Sequence, residues 1–260
     1  MSSFAALHHR PGAPLLLPNA WDHGSAAALA GQGFPAIGTT SLGVAAAAGL
    51  PDGVAATREE TLRLARRLAR GRFLLSVDVE GGFSDDPAEV AALAVELAEF
   101  GVAGINLEDG RSDGTLAPVA LHTAKIAAVK AAAPGLFLNA RTDPYWLGLD
   151  RPEAEAWHRL AAYQQAGADG VFVPGLADPA AIGALVQRLA VPLNVLHSPA
   201  GPALADLAAL GVARVSLGSL LYRAALAAAV DVATAVRAGR PVTAEVPGYE
   251  EVQALHRDGV

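Results

Sequence analysis

The side chains best equipped for chemistry are acids set near the ends of short apolar runs. FLLSVDVE (Phe73–Glu80) carries Asp78 and Glu80, which strand alternation would place on one face. GINLED ends in Glu108 and Asp109, FLNARTD supplies Arg141 and Asp143, and GLPDG carries Asp52. Charges at such positions are costly unless they are paired or bind a metal. Three converging carboxylates, Asp78, Glu80 and Glu108, suit a hard, oxygen-seeking dication such as Mg²⁺, with Mn²⁺ as the alternative. The competing expectation is that these acids pair with Arg141 and cap neighbouring helices. The planar fork of Arg141 suits two-point binding of a carboxylate or another oxyanion. His197, closing PLNVLH, is a candidate acid or base. Asn194 in the same run is a candidate hydrogen-bond donor to substrate. His8 and His9 fall in an N-terminal stretch expected to be mobile, and His122, His158 and His256 are expected at the surface.

Several chemistries are excluded or disfavoured. The chain has no cysteine, which removes disulfides, thiolate metal sites, iron–sulfur clusters and cysteine nucleophiles. Its only lysines, Lys125 and Lys130, share the helical run AKIAAVKAAA, away from any expected strand end, which disfavours Schiff-base and pyridoxal chemistry. TTSLG has Thr39 where a nucleophile elbow needs glycine.

The acids need a scaffold, and the pattern supplies one. Apolar runs recur at 15–20, 36–40, 73–80, 104–109, 136–143, 170–175, 193–197 and 214–219, mostly without alternation, as in parallel strands buried on both faces. Longer helical stretches lie between them. Thr57 with Glu60 and Asp150 with Glu153 read as capping boxes, and Asp86-Pro87 and Asp178-Pro179 as N-caps before a first-turn proline. GFPAIG, GVAGIN, GADGVF and GVARVS repeat one device, a glycine ending a helix and leading into a strand. Eight such units in 260 residues predict an α/β fold, the (β/α)₈ barrel, over 1–240. A doubly wound open sheet is disfavoured, because the close glycines of GQGFPAIG end a helix. Residues 241–260 read as a tail packed on the barrel or on a neighbouring subunit.

Composition narrows the function classes. A chain 52% hydrophobic and 17% charged is not disordered. A net charge of -7 argues against nucleic-acid binding and a polybasic membrane patch. No uncharged apolar run approaches the ~18 residues of a membrane span, and the N-terminal stretch lacks the apolar region of a secretion signal. A cytoplasmic protein is the expectation.

In order, PNAWDHGSA, IGTTSLGVAAAAGLPDG, SVDVEGGFSDDP, GINLEDG and NARTD resemble the isocitrate lyase/phosphoenolpyruvate mutase superfamily, from about Pro18 to about Gly218. The resemblance implies a TIM barrel with a C-terminal helix swapped between subunits in a homodimer or homotetramer. It implies Mg²⁺ near Asp78, Glu80 and Glu108, partly through water, and backbone donors at Thr40, Ser41 and Leu42 for a substrate carboxylate. Trp21 and Asp22 match the first-strand motif, Asp52 the loop acid, and Arg141 the substrate-holding arginine. The implied substrates are small 2-oxo acids, a four- or five-carbon dicarboxylic acid being preferred, cleaved through an enolate. The chain departs from the pattern in two places. The loop DGRSDGTLAP lacks the lyases' cysteine motif and the longer lysine–asparagine loop of the mutases and phosphonopyruvate hydrolases. Pro174 stands where mutases carry histidine. Oxaloacetate-type decarboxylation or another C–C cleavage is therefore the main expectation. C–P chemistry on phosphonopyruvate and silent binding of an acid such as 2-oxoglutarate are the alternatives. His197, Asp52, Ser112 and Asp113 remain open as the proton donor.

Overall fold

A computed structural model describes residues 3–243 and 245–258. The strands are β1 (Leu15–Leu17), β2 (Asn19–Ala20), β3 (Ala36–Thr39), β4 (Leu74–Asp78), β5 (Gly104–Glu108), β6 (Phe137–Arg141), β7 (Gly170–Val173), β8 (Leu193–Leu196) and β9 (Arg214–Ser216). All pairings are parallel, in the order β1-β9-β8-β7-β6-β5-β4-β3-β2. The expected single strand 15–20 is split at Pro18, which has no N–H for a ladder bond. Its carbonyl still accepts from Gly38 N–H at 2.8 Å. β1 and β2 thus act as two halves of one stave, β1 pairing with β9 and β2 with β3, which gives the eight-stave (β/α)₈ barrel.

The helices used below are α1 (Ser3–Leu7), α2 (His23–Gly31), α3 (Ser41–Ala48), α4 (Arg58–Leu68), α5 (Pro87–Phe100), α6 (Val119–Ala132), α7 (Pro152–Gln165), α8 (Pro179–Arg188), α9 (Leu204–Ala209), α10 (Leu220–Arg237) and α11 (Tyr249–Asp258). Asp86 and Asp178 cap α5 and α8 through their carboxylates, ahead of Pro87 and Pro179. The other two caps differ from expectation. Thr57 precedes α4 but gives it no side-chain cap, because its hydroxyl is drawn to Glu80. α7 begins after Arg151, and Asp150 does not cap it.

Two histidines also differ. His8 is buried at the amino end of the barrel, where its ring stacks on Phe137 at 4.3 Å and its Nδ1 lies 2.9 Å from Phe4 carbonyl oxygen. Phe4 seals that end. Gly104 makes room for it, since a Cβ there would run into the Phe4 ring at 2.7 Å. His122 is fully buried on α6 against the ring of Tyr163. Apolar strand residues such as Ile37, Val77, Leu107 and Leu138 form the core between barrel and helices. α10 buries only Tyr222 and exposes Leu226, Val230 and Val236, while α11 lies against α2. Among the described residues no helix is long and apolar enough to cross a membrane.

Candidate active site

A cavity of about 240 Å³ opens at the carboxyl ends of the strands. Four carboxylates line it, Asp52, Asp78, Glu108 and Asp143, against the guanidinium groups of Arg111 and Arg141. Arg111 is drawn off to Asp85 at 2.8 Å. Acid therefore outweighs base inside.

Asp78 ends β4. Its backbone N–H donates to Thr39 Oγ1 at 2.9 Å, and its Oδ2 accepts from Ser41 N–H at 3.2 Å. Thr40 precedes α3 in extended conformation without a side-chain cap. The first N–H groups of that helix, with its positive dipole end, therefore face the cavity at Ser41 and Leu42. Asp52 sits just beyond α3. Burial raises its carboxyl above the usual range, partly offset by a hydrogen bond with the Ser41 side chain.

Glu108 and Arg141 end neighbouring strands in register. Arg141 Nη1 lies 2.6 Å from Glu108 Oε2, and the Nε and Nη2 edge donates to both oxygens of Asp143 at 2.7 and 2.9 Å. Burial pushes the Glu108 carboxyl up to about 8, against the pull of Arg141. Burial opposes the charge of Arg141, but Glu108 and Asp143 more than offset it and keep the guanidinium protonated. Gly110 permits this arrangement, because a Cβ there would collide with Asp143 Oδ2. The ion pairing expected of the acids with Arg141 thus coexists with a shared cavity.

Glu80 does not stay on the face of Asp78. β4 ends at Asp78, and at Glu80 φ is +50°, which breaks the strand alternation. Its carboxylate accepts from Thr57 Oγ1 at 2.5 Å and Ala55 N–H at 3.0 Å, pinning the 52–57 loop. Lys125 also departs from expectation: from α6 it reaches the turn after β4, donating to Gly81 O at 2.9 Å and Asp85 at 3.1 Å.

Other sequence candidates lie off the cavity. Asp22 forms a capping box with Ser25 on α2, and Trp21 packs edge-on against Tyr222. His197 is not among the lining residues. Asn194 is buried below the floor and bonded to Ser216 Oγ at 3.0 Å. Of the open proton donors, Asp52 and Ser112 line the cavity, whereas Asp113 is tied to Thr115 on an exposed turn. That turn is a short hairpin closed by the Gly110–Leu116 bridge. Among the lining residues that the sequence did not single out are three polar ones set in strands, Asn19, Asn106 and Ser216. The one available signal was a polar residue in an otherwise apolar strand.

Among the described residues no three His, Asp or Glu side chains converge to enclose a metal by themselves. The donor set still fits Mg²⁺, which is commonly held by one or two carboxylates, with waters and substrate completing the shell. Asp78 and Glu108 supply the two carboxylates, and the local surplus of negative charge favours a dication.

The profile of the phosphoenolpyruvate phosphomutase family matches residues 4–237. The chain belongs to that family. It is an enzyme of the isocitrate lyase/phosphoenolpyruvate mutase superfamily. It is 46% identical over 252 residues to an uncharacterized protein of Mycobacterium tuberculosis, covering 97% of this chain and 95% of that one. It is 37% identical over 190 residues to 2-methylisocitrate lyase of Bacillus subtilis, covering 69% of this chain and 61% of that enzyme. It is 33% identical over 194 residues to oxaloacetate decarboxylase of Pseudomonas aeruginosa, covering 70% and 66%. Among solved structures, phosphoenolpyruvate phosphomutase from Streptomyces platensis subsp. rosaceus superposes with a TM-score of 0.86 at 25% identity, covering 98% of this chain and 94% of that one. A phosphonopyruvate hydrolase complex with oxalate and Mg²⁺ gives a TM-score of 0.85 at 27% identity, with the same coverage.

Proposed function

We propose that this family member is a Mg²⁺-dependent lyase that cleaves a small 2-oxo acid through an enolate, by oxaloacetate-type decarboxylation or a related C–C cleavage. One observation carries the reading: Asp78, Glu108 and Arg141 surround a single small cavity whose acids exceed its bases. Asp78 and Glu108 would hold the metal, and when bound it would supply Lewis-acid polarisation of the acid's oxygens. Mn²⁺ is the alternative ion for the same donors.

The rest falls to the chain's own groups. The Leu42 N–H and the positive end of α3 would receive the substrate carboxylate, the Ser41 N–H being already given to Asp78. Arg141, fixed on one edge by Asp143, directs positive charge at the oxo oxygen. As the bond from C3 to its carboxylate breaks, CO₂ leaves and the electron pair moves into the C2–C3 enolate. The negative charge that grows on oxygen would be matched by Arg141, already fixed by Asp143. Asp52, which lines the cavity and whose carboxyl burial raises, would return a proton to C3. Trp146, Leu147, Phe172 and Leu196 form an apolar wall that shields the reacting carbon. The exposed apolar side chains of α10 favour a homodimer or homotetramer, which light scattering would register.

Pyruvate release from oxaloacetate, 2-methylisocitrate and phosphonopyruvate, each with Mg²⁺ and with chelator, tests this. Mg²⁺-dependent release from either of the first two is expected. Release from phosphonopyruvate alone would establish C–P chemistry instead. No turnover of any, with tight binding of 2-oxoglutarate, would make the protein a binder.

A further inference from the structure

Under the acid-lined cavity lies a cation with no carboxylate at ion-pair distance among the described residues. Arg214, on β9, is 1% exposed. Its Nε donates to Ser216 Oγ at 3.0 Å and its Nη2 to Asn106 Oδ1 at 3.2 Å, while its Nη1 has no partner. Burial lowers the guanidinium to about 9, which leaves it charged at neutral pH, and Asp78 is the carboxylate whose charge supports it. An unpaired buried arginine is a costly way to fill a barrel that apolar side chains could fill. Its position directly beneath two lining residues, Asn106 and Ser216, points to a task at the site.

The geometry of Asn106 specifies that task. Its Oδ1 accepts from Arg214 Nη2 and also from Asn139 Nδ2 at 2.9 Å. Arginine only donates, so the end of the amide facing it must be the carbonyl oxygen. Nδ2 is then the end left for the cavity that Asn106 lines. Asn106 is in register with Asp78 on β4 and lies two residues before Glu108, on the same face of β5. An N–H donor is thereby set beside Asp78 and two residues below Glu108, the carboxylates that would hold the metal, where an anionic substrate would rest its oxygens.

We propose that Asn106 is a further substrate-binding residue, donating from Nδ2 to an oxyanion of the bound acid, and that Arg214, with Asn139, is the positioning residue that holds the amide this way round. The inference rests on the functional reading above, that the cavity takes an anionic 2-oxo acid with Mg²⁺.

The test is calorimetric affinity for oxalate, a planar dianion that mimics the charge of an enolate, measured with Mg²⁺ on the full chain. Asn106→Asp replaces the donor with a charge and weakens oxalate binding about 100-fold, in line with the loss of an oxyanion donor. Its unfolding midpoint does not fall, because the new carboxylate faces Arg214. Asn106→Ser withdraws the amide donor, leaving only a shorter hydroxyl, without adding charge, and weakens binding about tenfold, in line with the loss of one hydrogen bond to a charged group. Arg214→Met weakens it about tenfold, and Arg214→Lys, which keeps a charge and a donor, recovers most of that loss. Oxalate affinity within threefold of wild type in Asn106→Asp, or in both Asn106→Ser and Arg214→Met, would overturn the proposal and leave the functional reading standing. A wild-type protein without Mg²⁺-dependent oxalate binding would overturn both.

Discussion

Glu108 and Asp109 are adjacent in the chain and end in opposite settings, one inside the barrel and one in the seam between the barrel and α6 and α7. Inside, Glu108 has Arg141 as its one ion-pair partner and is pushed up to about 8 by burial. In the seam, Asp109 accepts from Thr142 Oγ1 at 2.7 Å, Tyr163 OH at 2.6 Å, Arg159 Nη1 at 3.1 Å and Asp143 N–H at 3.1 Å. Burial, then the Asp109 charge, pushes the Tyr163 hydroxyl up, so it stays a donor. A carboxylate with its hydrogen bonds complete is structural, whereas one left short of positive charge is available to a ligand. The two regions meet at Asp143, which Asp109 holds by its backbone and which in turn holds Arg141.

The largest expected effect sharpens that contrast. Glu108→Gln lowers kcat/KM about 10³-fold through loss of several kcal/mol of transition-state stabilisation. It shifts unfolding stability by less than about 1 kcal/mol, because burial already disfavours the Glu108 charge and Asp143 still holds Arg141 on its other edge. Steady-state kinetics beside denaturant melts read both. A large stability loss in this variant would erase the distinction. Asp109→Ala should do the reverse, removing about 3–5 kcal/mol of stability by stranding Arg159 and Tyr163 in the seam. Urea unfolding measures it, and a loss below about 1 kcal/mol would contradict the structural role.

Next comes pH. Burial, then the charges of Lys125 and Arg159, lowers His122 to about 3, and burial, then Arg214, lowers His8 to about 3. Between about 6.5 and 3 the unfolded chain takes up protons at these rings that the folded chain refuses. Their contribution is therefore complete above about 6.5 and is lost as pH falls toward 3, by up to about 1.4 kcal/mol per pH unit for each ring. His122→Phe removes one ring's share of that slope in stability profiles from pH 4 to 7, and an unchanged slope would refute it. Smaller still, Thr57→Val removes one hydrogen bond to Glu80 and loosens the 52–57 loop, at about 1.5–3 kcal/mol. Asp22→Ala, a cap outside the cavity lining, should cost about 1 kcal/mol and leave kcat/KM unchanged.

The barrel was legible because buried parallel strands write themselves as apolar runs bounded by glycine and capping residues. The gathering of Asp78, Glu108 and Arg141 at one cavity was legible because charge at the end of such a run is unusual, and Asp52 was found from its loop, GLPDG. Which way a side chain turns once the strand ends was not legible. Glu80 follows a positive φ that alternation cannot foresee, and the Thr57 hydroxyl serves Glu80 in preference to its helix. Lys125 and His122 lie on a helix whose inner face is set by tertiary packing, and Asn106 owes its orientation to Arg214, 108 residues further along the chain.

The most direct test is anomalous diffraction from a crystal soaked with Mn²⁺ and oxalate. The account predicts one strong Mn²⁺ peak at the carboxyl end of the barrel, bound by Asp78 and Glu108 and chelated by oxalate. Well-ordered Asp78 and Glu108 with no peak between them, or Mn²⁺ held elsewhere, would contradict it.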